Sequence, residues 1–170
     1  MQAGDTVSTF TLLGLEQLSV TINLVVAVFL GAVIGLERQF VQRYTGVTTH
    51  ALVALGAAAF VSIASLASPV GDVSRIAGQV VTGIGFLGAG LIFRDGMSVR
   101  GLSAAASIWA TGAVGALSGF GFLLEATEVA LLMFIVNLTL PRIGRLVDRL
   151  AGDDQRHRPR RPRRSEPKDE

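Results

Sequence analysis

The fold is decided by residues 75–119, RIAGQVVTGIGFLGAGLIFRDGMSVRGLSAAASIWATGAVGALSG. Within this stretch, Ile76 to Phe93 is a run of eighteen residues without an ionisable group. At about 1.5 Å per residue, such a helix can cross a hydrocarbon core of roughly 30 Å. A seven-residue charged hairpin, Arg94 to Arg100, separates it from a second uncharged run, Gly101 to Gly119. The pattern predicts two consecutive membrane-spanning helices.

The composition supports an integral membrane protein. Half of the 170 residues are hydrophobic, 16% are charged and the mean hydropathy is +0.54. Cysteine is absent, which excludes a disulfide framework, a thiol nucleophile and a thiolate metal site. The first seventeen residues contain no Lys or Arg and so lack the basic start of a cleavable signal peptide. We therefore predict a single all-α, polytopic transmembrane bundle whose first span is retained.

Apolar windows predict five spans, four of them uncharged and the fifth with Glu125 and Glu128 in its first two turns, where they can reach the interface. The five spans are Gln17 to Leu36, Ala51 to Ser68, Ile76 to Phe93, Gly101 to Gly119 and Phe122 to Leu140. Basic residues in short loops favour the cytoplasmic face, and with five spans fourteen of the fifteen basic residues share one face, with Arg75 opposite. With four spans the distribution would be less one-sided. We expect the N-terminus outside and the C-terminus in the cytoplasm.

Four regions follow from this interpretation. Residues 1–16 form an external segment, 17–140 the five-helix transmembrane domain, 141–151 a short amphipathic cytoplasmic helix and 152–170 a disordered Arg/Pro-rich tail. The basic part of the tail, RPRRPRR, is of a kind that binds nucleic acid or anionic lipid. Since the tail follows a membrane domain, we favour lipid and expect no nucleic-acid partner.

Small residues are expected to specify how the helices pack, because apolar burial does not drive association in lipid. The fourth span carries a stripe of small residues at four-residue spacing, namely Ser103, Ser107, Thr111, Gly115 and Gly119. The third span carries five glycines, Gly78, Gly83, Gly85, Gly88 and Gly90. We favour close packing within the bundle over a ligand groove.

Gly83, Gly85 and Gly88 match the letters of the dinucleotide-binding fingerprint. That fingerprint requires a strand before the glycines, a helix after them and an acidic residue about twenty positions further on. Here the glycines lie inside an apolar run of membrane length, and the acidic residue is missing. We predict no cofactor and no catalytic residue.

Charged and polar side chains are expected at the ends of the spans. Asp72, Glu125 and Glu128 offer oxygen ligands that suit Mg²⁺, but carboxylates at an interface are commonly solvated helix ends, and no metal site is predicted. His50 has no partner at ligand spacing and is interpreted as an interfacial residue. Glu37 is expected to pair with Arg94 or Arg100 across the cytoplasmic face.

Three segments together resemble the MgtC/SapB family of bacterial inner-membrane proteins. They are GAVIGLERQ with THALVALGAAAF, then RIAGQVVTGIGFLGAGLIFRDG, then VRGLSAAASIWATGAVGAL, in family order and covering most of residues 31–117. The resemblance is specific because polar landmarks recur within apolar runs. These landmarks are Glu37-Arg38, Thr49-His50, Arg75, Gln79, Arg100-Gly101 and Trp109.

The resemblance implies a multi-pass protein of the bacterial plasma (inner) membrane needed for growth in low magnesium and, in some pathogens, for survival inside macrophages. Family members are not regarded as magnesium transporters and are linked to control of the F-type ATP synthase and of P-type magnesium ATPases. The family often has AGLRTH where this chain has TGVTTH at residues 45–50, so a basic residue is missing at Thr48. The chain resembles a short form without the family's cytoplasmic C-terminal domain.

Three functional hypotheses remain open. The first is a non-enzymatic regulator that binds a helix of an ATPase, or a second copy of itself, through the small-residue faces of spans three and four. The second is an oligomeric cation pore or small transporter, and the third is a lipid organiser acting through the Arg-rich tail. The predicted family-motif and interaction residues are Glu37, Arg38, His50, Arg75, Gln79, Gly83, Gly85, Gly88, Gly90, Arg100, Gly101, Ser103, Ser107 and Trp109.

Overall fold

A computed structural model describes residues 3–41, 45–67, 73–96 and 98–156, with side chains within 13–40, 45–66, 74–96 and 98–150. The elements are α1 (Ala3–Val41), α2 (Val47–Ala67), α3 (Val73–Gly90), β1 (Phe93–Asp95), β2 (Ser98–Arg100), α4 (Leu102–Gly119) and α5 (Leu123–Arg156). The two short strands pair antiparallel, with Phe93 opposite Arg100. The predicted all-α architecture and the charged hairpin are therefore confirmed.

Four of the described helices are long and apolar enough to cross a membrane. The corresponding segments are Leu13–Phe40, Val47–Leu66, Leu102–Gly119 and Leu123–Leu150. α3 is not among them. The sequence windows predicted five spans, so by length and composition the prediction holds for four helices.

α2 packs against both α1 and α4, at contacts that only small residues allow. A Cβ added at Gly35 would lie 2.7 Å from Val47 Cα, and one at Gly31 would lie 2.7 Å from the His50 carbonyl oxygen. On the other side, a Cβ at Gly119 would lie 2.5 Å from the Ala58 carbonyl oxygen. Real Cβ atoms do not approach this closely, so the glycines set the separation of the helix axes.

The order of these contacts gives the helix directions. α1 and α2 are antiparallel, since Gly35 meets Val47 while the earlier Gly31 meets Ala54. α4 runs parallel to α2, since Gly115 meets Ala54 and Gly119 meets Ala58. α3 is antiparallel to α4, because its Ile84 side chain fills the space beside Gly112 and Gly88 lies against Ala105. The start of α2 and the start of α4 therefore lie at one end of the bundle.

Glycines also set both ends of α4. Gly101, with φ of 89°, precedes the helix and leaves no room for a Cβ beside the Leu91 carbonyl. At the other end Gly121, with φ of 83°, donates its N–H to the Ser118 carbonyl while Phe122 donates to Leu117. This is the Schellman arrangement, in which a left-handed glycine ends a helix.

The chain divides into two units, residues 1–134 and 135–170. In the first unit, Ala126 and Ala130 of α5 are buried with Leu30, Ile34 and Val114. In the second unit the helix continues through Pro141 to Arg156, although proline cannot donate a backbone hydrogen bond to the Asn137 carbonyl. Residues 141–151 lie within α5. Residues 157–170 of the predicted tail lie outside the described residues.

Candidate functional site

A buried ion pair lies in the last turns of α1. Arg38 donates from Nε and Nη2 to the two carboxylate oxygens of Glu37, each at 2.6 Å. Arg38 is 1% exposed and Glu37 is 8% exposed. Adjacent helix residues do not ordinarily face each other, but burial of two charges is tolerated only when they pair. The expected pairing of Glu37 with Arg94 or Arg100 is therefore wrong.

His50 links the start of α2 to α4. Its Nδ1 lies 3.1 Å from the Gly46 carbonyl oxygen, and its Nε2 lies 3.1 Å from Ser107 Oγ. The side chain is fully buried among protein atoms, in the first turn of α2. The reason is tertiary: Ser107 comes from a helix 57 residues later and satisfies the imidazole.

Two more buried hydroxyls belong to the same polar region. Thr111, one turn after Ser107, donates to the Ser107 carbonyl at 2.8 Å. Thr45, in the connection between α1 and α2, is 3% exposed, and among the described residues its Oγ1 is the buried side-chain atom without a hydrogen-bond partner. Nothing in the sequence around Thr45 signalled its burial.

Most of the small-residue stripe of α4 is buried inside the bundle. Ser107, Thr111, Gly115 and Gly119 are buried, and the two glycines abut Ala54 and Ala58 of α2. The prediction of close packing is confirmed for these positions, and the same burial makes them inaccessible to a partner helix. Ser103, at the start of the stripe, is exposed.

The glycines of α3 have the opposite environment. A Cβ added at Gly78, Gly83, Gly85 or Gly90 would meet nothing within 4 Å, whereas Gly88 lies in ordinary contact with Ala105. Gly83 also lines a groove of about 620 Å³ between α2 and α3. The lining combines apolar residues with a few polar ones, and consists of Thr48, Thr49, Leu52, Val53, Gly56, Ala57, Phe60, Ile76, Gln79, Val80, Gly83, Ile84 and Leu87. The sequence did not single out this groove.

The remaining predicted residues lie on the surface of the protein. Arg100 is exposed on β2, with Nη2 3.9 Å from Asp95 Oδ2. Arg75 and Gln79 are exposed on α3, and Trp109 on α4 is 52% exposed. The fourteen predicted residues thus divide into a buried set, containing Glu37, Arg38, His50 and Ser107, and a largely exposed set on α3, the hairpin and one side of α4.

Acidic side chains could supply oxygen ligands to a metal ion. Among the described residues no three His, Asp or Glu side chains are grouped so as to hold a metal ion. Glu125 and Glu128 are exposed, and Asp72 lies outside the described residues.

Comparisons with known proteins point to one family. The MgtC family model matches residues 24–146. Protein MgtC of Salmonella typhimurium is 43% identical over 129 residues, covering 76% of this chain and 55% of the relative. Protein MgtC of Brucella abortus is 48% identical over 114 residues, covering 67% of this chain and 48% of the relative.

The chain spans about half the length of these curated relatives. No solved structure matches it significantly. The matched residues include the buried Glu37–Arg38 pair, the His50–Ser107 link and the whole of α3. The family match covers well over half of the chain, and the chain belongs to the MgtC family.

Proposed function

We propose that this chain is a non-enzymatic regulator that supports adaptation to low magnesium by binding a transmembrane helix of a membrane ATPase. The binding surface is the face of α3 that carries Gly78 and Gly85, which are seven residues apart and therefore lie on the same side of the helix. The magnesium role comes from the family resemblance, and the P-type magnesium ATPases and the F-type ATP synthase are the expected partner classes. The proposed location is the bacterial inner membrane.

The open glycines of α3 are the observation that carries this proposal. Glycine faces allow two backbones to approach closely, which is the main source of helix–helix attraction in lipid. Several glycines of other helices are covered, namely Gly31, Gly35 and Gly115 by α2 and Gly112 by Ile84, whereas Gly14 and Gly56 are open as those of α3 are. α3 presents the same residue type to open space within the part of the chain that the structure describes. A partner helix would pack closely against these glycines, as α2 packs against the glycines of α1 and α4 within the chain.

We further propose that α3 crosses the membrane, so that five helices span it with the N-terminus outside and the C-terminus in the cytoplasm. The parallel alignment of α2 and α4 supports this topology. Because two neighbouring parallel helices both cross in the same direction, the segment between them must return across the bilayer. α3 is the helix in that segment, antiparallel to α4 along its length. The position of fourteen of fifteen basic residues on one face agrees with this orientation.

Cysteine labelling tests the topology, since the natural chain contains no cysteine. Ser98→Cys places a thiol in the hairpin after α3, and Phe122→Cys places one between α4 and α5. With five crossings, an impermeant maleimide labels Phe122→Cys in intact spheroplasts and labels Ser98→Cys only after permeabilisation. Labelling of Ser98→Cys in intact spheroplasts would show that α3 does not cross.

Complementation of growth in low magnesium tests the regulatory role. Gly85→Leu adds bulk to the open face, so we expect normal membrane abundance but loss of complementation. Gly14→Leu is the matched control, because Gly14 of α1 also has nothing within 4 Å, away from α3. Normal growth with Gly85→Leu would contradict the proposal.

Flux measurements separate the regulator from an oligomeric pore. The purified chain is reconstituted into liposomes, and movement of Mg²⁺ and Na⁺ is followed. We expect no flux above empty liposomes and a change in ATPase activity only when the partner is present. Flux supported by this chain alone would favour the pore.

A further inference from the structure

We infer that the end of the bundle opposite the hairpin contains a binding site for a hard divalent cation, of the Mg²⁺ class, centred on Glu16. The site is a cavity of about 220 Å³ between α1, α2 and the end of α4. Its lining is Glu16, Ser19, Val20, Asn23, Ser62, Ser65, Leu66, Gly119 and Phe120. This inference goes beyond the proposed regulatory function, and its test requires no partner protein.

The polar lining is dominated by oxygen atoms. Glu16, Ser19 and Asn23 recur at helical spacing on α1, and Ser62 and Ser65 are three residues apart on α2. Carboxylate, amide and hydroxyl oxygens are ligands that hard divalent cations use. Mg²⁺ usually keeps several of its waters and needs one or two carboxylates, and the cavity has room for an ion together with waters.

The hydrogen bonds of the two α2 serines favour a cation over an anion. Ser62 Oγ donates its hydrogen to the Gly119 carbonyl at 3.1 Å, and Ser65 Oγ donates to the Val61 carbonyl at 3.1 Å. Because each hydroxyl hydrogen is already used, both oxygens offer only lone pairs to a ligand. An anion would meet these lone pairs and the Glu16 carboxylate, with the Asn23 amide and the Ser19 hydroxyl as the side-chain donors in the lining.

The helix directions add to this preference. α2 and α4 run parallel and end at Ala67 and Gly119, so both C-terminal ends point toward this end of the bundle. The C-terminus of a helix has a partial negative charge that stabilises cations. Glu16 contributes the full negative charge in the lining, and no lining residue is basic. In the proposed five-span topology this end faces outside, where a divalent cation would enter without crossing the membrane.

The experiment measures Mg²⁺ binding to the purified full-length chain in detergent, by thermal unfolding across a MgCl₂ titration. NaCl at matched ionic strength corrects for general salt effects. We expect a saturable rise in Tm of about 2–4 °C, because a ligand that binds the folded state stabilises it. A competition experiment with Mn²⁺, followed by electron paramagnetic resonance, gives the affinity directly.

Glu16→Gln removes the charge and keeps the shape. We expect about tenfold or more weaker Mg²⁺ and Mn²⁺ binding and loss of the Tm rise, since the cavity then has no carboxylate. Glu128→Gln is the control, because Glu128 is exposed as Glu16 is but does not line the cavity, and this variant should bind as the natural chain does. The inference is overturned if the natural chain shows no saturable Mg²⁺ effect, if NaCl reproduces it, or if Glu16→Gln retains it. Growth complementation tests the proposed regulatory function separately, because its result does not depend on whether Mg²⁺ binds at this cavity.

Discussion

α3 and α4 are each eighteen residues long and rich in small residues, yet they have opposite environments. The small residues of α4 lie inside the bundle, where Gly115 and Gly119 abut the backbone of α2. Gly78 and Gly85 of α3 have open space where a side chain would be. A glycine-rich stretch therefore permits another helix to pack closely against it. Whether that helix belongs to the same chain or to another molecule depends on how the neighbouring helices are arranged.

The same contrast holds for polar groups. Glu37 and Arg38 pair at 2.6 Å in a buried position on α1. Asp95 and Arg100 of the hairpin stand 3.9 Å apart with both side chains more than half exposed. The contrast between the two regions can be tested with pairs of substitutions. In each pair, one substitution lies in the interior formed by α1, α2 and α4, and the other lies on α3 or its hairpin.

The largest difference is expected between Gly115→Leu and Gly85→Leu. A leucine at 115 would overlap the Ala54 backbone, which cannot move aside as a flexible side chain can. We expect no stably folded Gly115→Leu protein and normal amounts of Gly85→Leu, measured by membrane abundance and size-exclusion chromatography. Equal recovery of the two variants would show that the interior and exterior assignments are incorrect.

The second difference is expected between Arg38→Ala and Arg100→Ala. Removing Arg38 leaves the Glu37 carboxylate buried without its partner, which costs about 3–5 kcal/mol. Arg100→Ala breaks an exposed, long ion pair, which contributes at most about 1 kcal/mol. The free energy of unfolding in mixed detergent micelles measures both, and a small effect of Arg38→Ala would mean that Glu37 has another partner.

A smaller difference is expected between Ser107→Ala and Thr82→Ala. Ser107→Ala removes the hydroxyl that lies 3.1 Å from His50 Nε2, at a cost of about 1–2 kcal/mol. Thr82 of α3 donates only to the Gly78 carbonyl of its own helix, and its loss should stay within about 0.5 kcal/mol. The same unfolding measurement applies, with tryptophan fluorescence as a check that the fold is kept. Equal effects would indicate that the His50–Ser107 link does not stabilise the bundle.

The smallest expected effect is that of Gly78→Ala on α3. The added methyl group meets nothing within 4 Å, and alanine favours a helix over glycine, so stability should rise by about 0.5–1 kcal/mol. The midpoint of thermal unfolding measures this increase. A decrease would mean that another surface covers α3 in the purified protein, for example in a homo-oligomer.

The sequence was sufficient for several features of the fold because each is local. The helical runs follow from uncharged stretches of membrane length, and the hairpin of residues 93–100 follows from the charged residues that interrupt them. Length and hydropathy identify four spanning helices and leave out α3, whose crossing depends on how it lies between α2 and α4. The predicted span ending at Leu140 and the predicted short helix over residues 141–151 both lie within α5, Leu123–Arg156.

The candidate site was predicted residue by residue, but not as a set of contacts. Glu37, Arg38, His50 and Ser107 were all singled out as landmarks. That His50 meets Ser107, and that Glu37 pairs with its neighbour, depended on which helices lie side by side. The groove between α2 and α3 and the cavity around Glu16 likewise bring together residues that are distant in the chain.

By itself the sequence determined that this is a helical membrane protein with the polar landmarks of its family, because segment length and hydropathy are properties of consecutive residues. Only the tertiary structure decided which glycines are covered, which charges pair and which helices run parallel. The physical reason is that a small residue permits close helix packing but does not specify which helix packs against it. The packing partner depends on the distances between the backbones of different helices, and the sequence of one helix does not give these distances.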